Sequence, residues 1–288
     1  MAIIRATNLR KVYPNGTTGL DRLSLEVQPG ELVGVLGSSG AGKTSFFRLL
    51  NGTLRPTAGE LEVLGRRLDQ RVSTAEMRRL RSELALINQH HNVIPPLSVL
   101  QNILIGRLGR TNTFRALTGF FNVRENERLQ AAEAAALVGL APKLYNRAED
   151  LSGGQQQRVA IARAIMQGAK ILLADEPIAS VDMRNAALIL DLFKRVNEEL
   201  GVTVMINLHQ LDFAVRYCPR ILVFKAGNLA YDGSPEGLGN FNIYDEPPKI
   251  EEPDALDGEI VGQPTLTKAA MLEEAEMGEI PGNRHNND

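Results

Sequence analysis

The run Gly37-Ser38-Ser39-Gly40-Ala41-Gly42-Lys43-Thr44 constrains this chain more than any other segment. It follows the apolar run Leu32-Val33-Gly34-Val35-Leu36 and precedes the apolar-periodic stretch Phe46 to Leu50, which sets the pattern G-x-x-x-x-G-K-[ST] at a strand-to-helix turn. Glycines let the backbone bend around an anion and aim its N–H groups at it, and the helix N-terminus adds a favourable dipole. Residues Gly37, Ser38, Ser39, Gly40, Ala41, Gly42, Lys43, Thr44 and Ser45 are therefore expected to hold phosphates. Lys43 would reach the β- and γ-phosphates of a nucleotide, and the Thr44 hydroxyl would ligate Mg²⁺.

The surrounding pattern is α/β. Ile171 to Ala174, Val202 to Ile206 and Ile221 to Phe224 are nearly continuous apolar runs, as expected for central strands of a largely parallel sheet covered on both faces. Leu23 to Val27 and Glu60 to Leu64 alternate apolar and polar residues and are expected as half-exposed strands of a smaller antiparallel β subdomain. Between roughly 72 and 167 helical stretches take over, including Glu127 to Val138 and Gly154 to Met166, so a helical subdomain of about 90–167 is expected as an insertion in the core. Within it Phe114, Leu117, Phe120 and Phe121 share a helical face, which serves either core packing or docking of another subunit.

Two further constellations carry chemistry. Asp175 and Glu176 end a buried strand, where ligands of open α/β sheets bind; Asp175 suits a Mg²⁺ ion and Glu176 suits the base that takes a proton from attacking water. Leu151-Ser152-Gly153-Gly154-Gln155 starts a helix, with Ser152 as cap and two glycines leaving N–H groups uncovered. That is a second phosphate-binding helix start, about 110 positions after the first. A single active site uses both only if one comes from another copy of the chain.

These residues resemble the ATP-binding subunits of ABC transporters, whose signature is Leu-Ser-Gly-Gly-Gln. The resemblance implies ATP and Mg²⁺ as ligands, Tyr13 as the aromatic that stacks on adenine, and Gln89 as a catalytic and metal-contacting glutamine. It also implies Ser180-Val181-Asp182 as the loop whose Asp182 contacts nucleotide, and His209 as the switch histidine. Two subunits would then sandwich two ATP molecules. Adjacent His90 and His91 suit one metal poorly, so no separate metal site is expected there. Asn88, the order Thr44-Ser45 and Met183 depart from the usual pattern without removing a proposed ligand. Ile178-Ala179, Leu208 to Ala214, Ile105 to Gly109 and Thr113 to Leu117 look like the ATPase subunit of phosphonate importers, with importers of phosphite, hypophosphite or phosphate as alternatives. Such a subunit works as a homodimer on integral membrane permease subunits, with an extracellular or periplasmic solute-binding protein as an indirect partner.

Composition limits the rest. The chain has 288 residues, 43% hydrophobic and 23% charged, within the globular range. No run of about 18 apolar residues is long enough to span a bilayer, and no secretion signal opens the chain, so a peripheral place on the cytoplasmic face of the cell membrane is expected. Cys218, the single cysteine, is expected to be a packing residue. From Asp245 to Asp288 there are 12 acids and 3 bases, a charge of −9, so that residues 1–244 carry +7 of the total −2. The acidic 245–288 segment is expected as a disordered tail with a possible short helix at Lys268 to Met277, and 1–244 as the ATP-binding domain. A soluble ABC ATPase acting on nucleic acid would need two such modules or a long coiled coil, and a P-loop kinase has no use for Leu151 to Gln155; nucleic acid is therefore not an expected partner.

Overall fold

The computed structural model describes residues 1–88, 93–110, 123–179 and 181–239. Gln89, the aromatic segment 114–121, Ser180 and the acidic tail, where a short helix is the expectation, lie outside the described residues.

A four-stranded antiparallel sheet has the order β2-β1-β4-β5, formed by β1 (Ile4–Val12), β2 (Thr18–Val27), β4 (Ala58–Val63) and β5 (Arg66–Arg67). Its inward positions Ile4, Ala6, Leu25, Val27, Leu61 and Val63 are buried while Glu26 and Glu60 face out, the alternation expected of a one-sided sheet. A six-stranded sheet has the order β10-β9-β3-β8-β7-β6, built from β3 (Leu32–Leu36), β6 (Leu84–Ile87), β7 (Ile171–Asp175), β8 (Thr203–Asn207), β9 (Arg220–Lys225) and β10 (Asn228–Gly233). Every neighbouring pair in it is parallel except β9 with β10.

The continuous apolar runs now have a cause. Leu172 and Ala174 of β7, Val204 and Ile206 of β8, and Ile221 and Val223 of β9 enter one core, whereas Leu173, Met205, Leu222 and Phe224 enter another on the opposite face. The first core is closed by α3 (Val99–Leu104), α4 (Glu125–Leu137), α5 (Gly153–Gln167) and α6 (Met183–Leu200), with α7 (Leu211–Tyr217) at its edge. The second holds α1 (Lys43–Leu50), α2 (Thr74–Glu83) and the buried face of the antiparallel sheet.

One strand departs from expectation. β6 lies inside the stretch read as helical, because α2 passes into Leu84-Ala85-Leu86-Ile87 with neither glycine nor proline to mark the change. Its parallel pairing with β7, from Leu84 with Ile171 to Ile87 with Ala174, decides it. Cys218 packs as expected: it is buried, its thiol is pushed up to about 12 by desolvation, and a Cβ at Gly34 would lie 3.0 Å from its sulfur. Among the described residues no helix is long and apolar enough to cross a membrane.

Phe46 of α1 is fully buried against Phe224 of β9, with ring centroids 5.5 Å apart. Phe46→Ala is expected to lower the unfolding free energy by about 3–5 kcal/mol in urea titrations, through lost transfer energy and the cavity left behind. A loss below about 1 kcal/mol would contradict this packing.

Candidate functional site

The phosphate loop leaves the C-terminal end of β3 and turns into α1 through backbone that only glycine adopts freely. Gly37 has φ 145° and a Cβ there would lie 2.3 Å from the Phe224 carbonyl oxygen; Gly42 has φ 105° and its Cβ would lie 2.4 Å from the Gly19 oxygen. No acidic residue occupies the first turn of α1, which leaves its N-terminus suited to an anion. Lys43 is only 5% exposed. Its ammonium donates to the Gly37 oxygen at 2.6 Å and the Ser38 oxygen at 3.0 Å, folding back over the loop. Burial pushes it below the ordinary lysine value, opposed by the nearby Glu176 and Asp175 carboxylates.

β7 and β8 bring the next group together. They pair in parallel with Asp175 opposite Asn207, and the Asn207 amide donates to Asp175 Oδ1 at 2.6 Å. The next residue, Glu176, has φ 54°, a left-handed conformation uncommon for a residue with a Cβ. Its N–H donates to the Asn207 oxygen at 3.2 Å, and its Oε1 lies 2.7 Å from Nε2 of His209. Asn207 escaped the sequence reading, although a lone amide ending an apolar strand was a usable signal. The side chain is fully buried and its Oδ1 has no partner.

Thr44, Arg48, Asn88, Asp175 and Glu176 line one cleft of about 430 Å³. Gln89 itself lies outside the described residues. Among the described residues no cluster of three or more His, Cys, Asp and Glu is present that could hold a metal. The donors that are present, a hydroxyl at Thr44 and a carboxylate at Asp175, are hard oxygen ligands. They suit Mg²⁺, which keeps phosphate and water oxygens as its remaining ligands. Tyr13, just past the end of β1, does not line that cleft but meets the first turn of α1: its hydroxyl is 2.9 Å from Ser45 Oγ.

The second helix start forms a separate group. Ser152 precedes α5 and its N–H donates to Gln155 Oε1 at 3.2 Å, an oxygen that also accepts from Lys143 Nζ at 3.1 Å. A Cβ at Gly153 would meet nothing within 4 Å, and one at Gly154 would first meet Asn185 at 3.7 Å. Asn185 donates to Asp182 Oδ2 at 2.6 Å, while Asp182 Oδ1 accepts from the Arg184 and Asn185 N–H groups and caps α6. Those hydrogen bonds, Asn185 foremost, hold the Asp182 carboxyl below its ordinary value. The structure thus unites Ser152, Gly153, Gly154 and Gln155 with the Asp182 turn, and none of these residues lines the cleft that holds Thr44, Asp175 and Glu176.

The family profile described as ABC transporter matches residues 20–179. The chain belongs to the ABC transporter ATP-binding family. It is an ATPase coupled to transport, and membership implies the use of ATP and Mg²⁺. It is 44% identical over 236 residues to a phosphonates import ATP-binding protein of Bdellovibrio bacteriovorus, covering 82% of this chain and 90% of that one. A protein of the same description from Pseudomonas aeruginosa is 46% identical over 242 residues, covering 82% and 86%. Among solved structures, the dimeric structure of a bacterial ABC transporter cassette superposes with a TM-score of 0.69 at 29% identity, covering 81% of this chain and 98% of that one.

The buried ammonium gives a pH signature. With the folded value of Lys43 lowered, the unfolded chain binds more protons between that value and about 10.4, so stability rises with pH across the interval. The destabilising cost is full below the folded value and fades as the unfolded lysine also loses its proton. Relative to Lys43→Met, the nucleotide-free wild type should therefore gain stability as the pH rises toward the ordinary lysine value of about 10.4, read from urea midpoints. A difference that does not change with pH would show that the ammonium is not desolvated.

Proposed function

We propose that this protein is the ATP-hydrolysing, energy-coupling subunit of an importer for phosphonates. The observation that carries the chemistry is the Glu176 carboxylate, held 2.7 Å from His209 and lining the cleft shared by Thr44 and Asp175. The phosphonate assignment rests on the relatives' names and on the motif resemblance; phosphite, hypophosphite and phosphate remain the alternative cargoes.

In this reading the loop Gly37 to Gly42 and the N-terminus of α1, including Ser45, bind the phosphates through N–H groups. Lys43 leaves its two loop carbonyls to donate to the β- and γ-phosphates. Thr44 and Asp175, with Gln89, hold Mg²⁺, which when bound neutralises charge on the phosphate oxygens. Asn207 fixes the Asp175 carboxylate by its amide. Glu176 accepts the proton of the attacking water as that oxygen bonds to the γ-phosphorus and the bridging oxygen leaves with the ADP; His209 orients Glu176 and donates to the γ-phosphate. Tyr13 stacks on adenine.

Ser152, Gly153, Gly154 and Gln155, with Asp182, act on the ATP held by a second copy of the chain. The support is their grouping away from the cleft, together with the likeness to a cassette solved as a dimer. The homodimer then sits on the cytoplasmic side of the membrane against permease subunits, with the compact body of 1–244 as the ATP-binding domain and 245–288 as an acidic extension.

Glu176→Gln is expected to lower steady-state ATP hydrolysis by about 10²–10⁴-fold while ATP binding and ATP-dependent dimerisation persist, since the amide keeps the shape but accepts no proton. Near-normal turnover on the assembled transporter would remove Glu176 as base. The trans arrangement has its own test. A heterodimer of a Lys43→Ala chain with a Ser152→Arg chain concentrates both lesions in one composite site and leaves the other intact, so single-site turnover should survive. Placing both substitutions in one chain opposite a wild-type chain damages both sites, each by about 10³–10⁵-fold. Equal activity of the two heterodimers would exclude the trans arrangement.

A further inference from the structure

The contact between Tyr13 and Ser45 joins two parts of the site that are separate in the sequence. Tyr13 belongs to the turn between β1 and β2, and Ser45 is the third residue of α1. Their hydroxyl oxygens are 2.9 Å apart, a hydrogen-bond distance. On the ring, the Lys11 ammonium lies 5.7 Å from the centroid, anchored by donating to the Arg55 oxygen at 2.9 Å. Beneath the pair runs Gly19 of β2. A Cβ there would lie 2.8 Å from Tyr13 Cε2 and 2.9 Å from Ser45 Oγ, distances that real Cβ atoms do not tolerate. Gly19 is not among the glycines with left-handed φ, so the requirement at this position is space and not backbone conformation.

A ring held at its hydroxyl, over one face and at its edge is oriented before any base arrives. Losing that orientation on binding would cost conformational entropy; having it in advance saves the cost. We propose that Ser45 is a positioning residue for base recognition: its hydroxyl locks Tyr13, making the stacking ring and the phosphate loop one preorganised unit, with Gly19 keeping the space that the lock requires. This rests on the reading of Tyr13 as the adenine platform and adds a second duty to Ser45.

The test separates base from phosphate, using the non-hydrolysable ATP analogue AMP-PNP and inorganic tripolyphosphate as probes and calorimetric affinity as the readout on the full chain. Tyr13→Phe keeps the ring and removes the lock; it should weaken AMP-PNP by about threefold to tenfold, the worth of one hydrogen bond, and leave tripolyphosphate unchanged. Ser45→Ala should weaken both probes, and Tyr13→Phe added to it should bring no further loss, the coupling expected of two groups in one interaction. Tyr13→Ala checks the underlying reading. If Tyr13→Ala leaves AMP-PNP affinity intact, the stacking platform and the lock both fall. If Tyr13→Ala weakens AMP-PNP while Tyr13→Phe binds like wild type, stacking stands and the lock is overturned. A Tyr13→Phe penalty that persists in full in the Ser45→Ala background also overturns it, because the hydroxyl would then act through another group. Unchanged tripolyphosphate binding by Tyr13→Phe doubles as evidence that the variant folds.

Discussion

The close approach of backbone to backbone around the phosphate loop is the constraint on which the rest of this structure depends. Gly37 lies against the carbonyl of Phe224 in the six-stranded sheet, and Gly42 against the carbonyl of Gly19 in the antiparallel sheet, both at distances that exclude a Cβ. The turn between β9 and β10 closes the arrangement: the Gly227 N–H donates to the Ala41 oxygen at 3.0 Å, and the Gly227 oxygen accepts from the Asp21 N–H at 2.8 Å. Gly227 thus bridges the phosphate loop and the antiparallel sheet, donating to one and accepting from the other. The glycines serve twice, since the conformations that point N–H groups at an anion are also those that let the two sheets come together.

Parallel strand pairing decides which polar side chains meet at the end of the central sheet. Because β7 and β8 run in register, Asp175 and Asn207 end side by side, and the chain beyond each can set Glu176 against His209. Glu176 has a left-handed backbone conformation, φ 54°, and its N–H is satisfied by the Asn207 oxygen of the neighbouring strand. Such backbone persists where the surroundings over-determine it. Here the strand pair, the Asn207 carbonyl and the His209 contact do so together.

The helix start at Ser152 answers to different neighbours. Gln155 accepts from Lys143, and a Cβ at Gly154 would first meet Asn185, whose amide donates to Asp182 at the start of α6. Asp182 is occupied as a helix cap, and its carboxylate binds N–H groups of its own chain. This helix N-terminus, where a Cβ at Gly153 would meet nothing within 4 Å, contributes no residue to the lining of the cleft at Thr44.

Local chemistry was legible in the sequence by itself. The phosphate loop needs glycines at fixed spacing next to a strand and a helix, the acidic pair ends an apolar run, and the capping pattern at Ser152 stands at its helix start; each is written within about ten residues, over which turn and capping chemistry acts. The layered α/β class was legible too, since strands covered on both faces must be apolar throughout. β6 was not, because nothing local separates Leu84 to Ile87 from the preceding helix; its pairing with β7 does. Asn207 gained meaning only when register set it beside Asp175, and Gly19 only when Tyr13 and Ser45 closed over it. Tertiary structure decided these because each depends on which distant residue becomes the neighbour, a choice made by packing and strand register and not by any local preference.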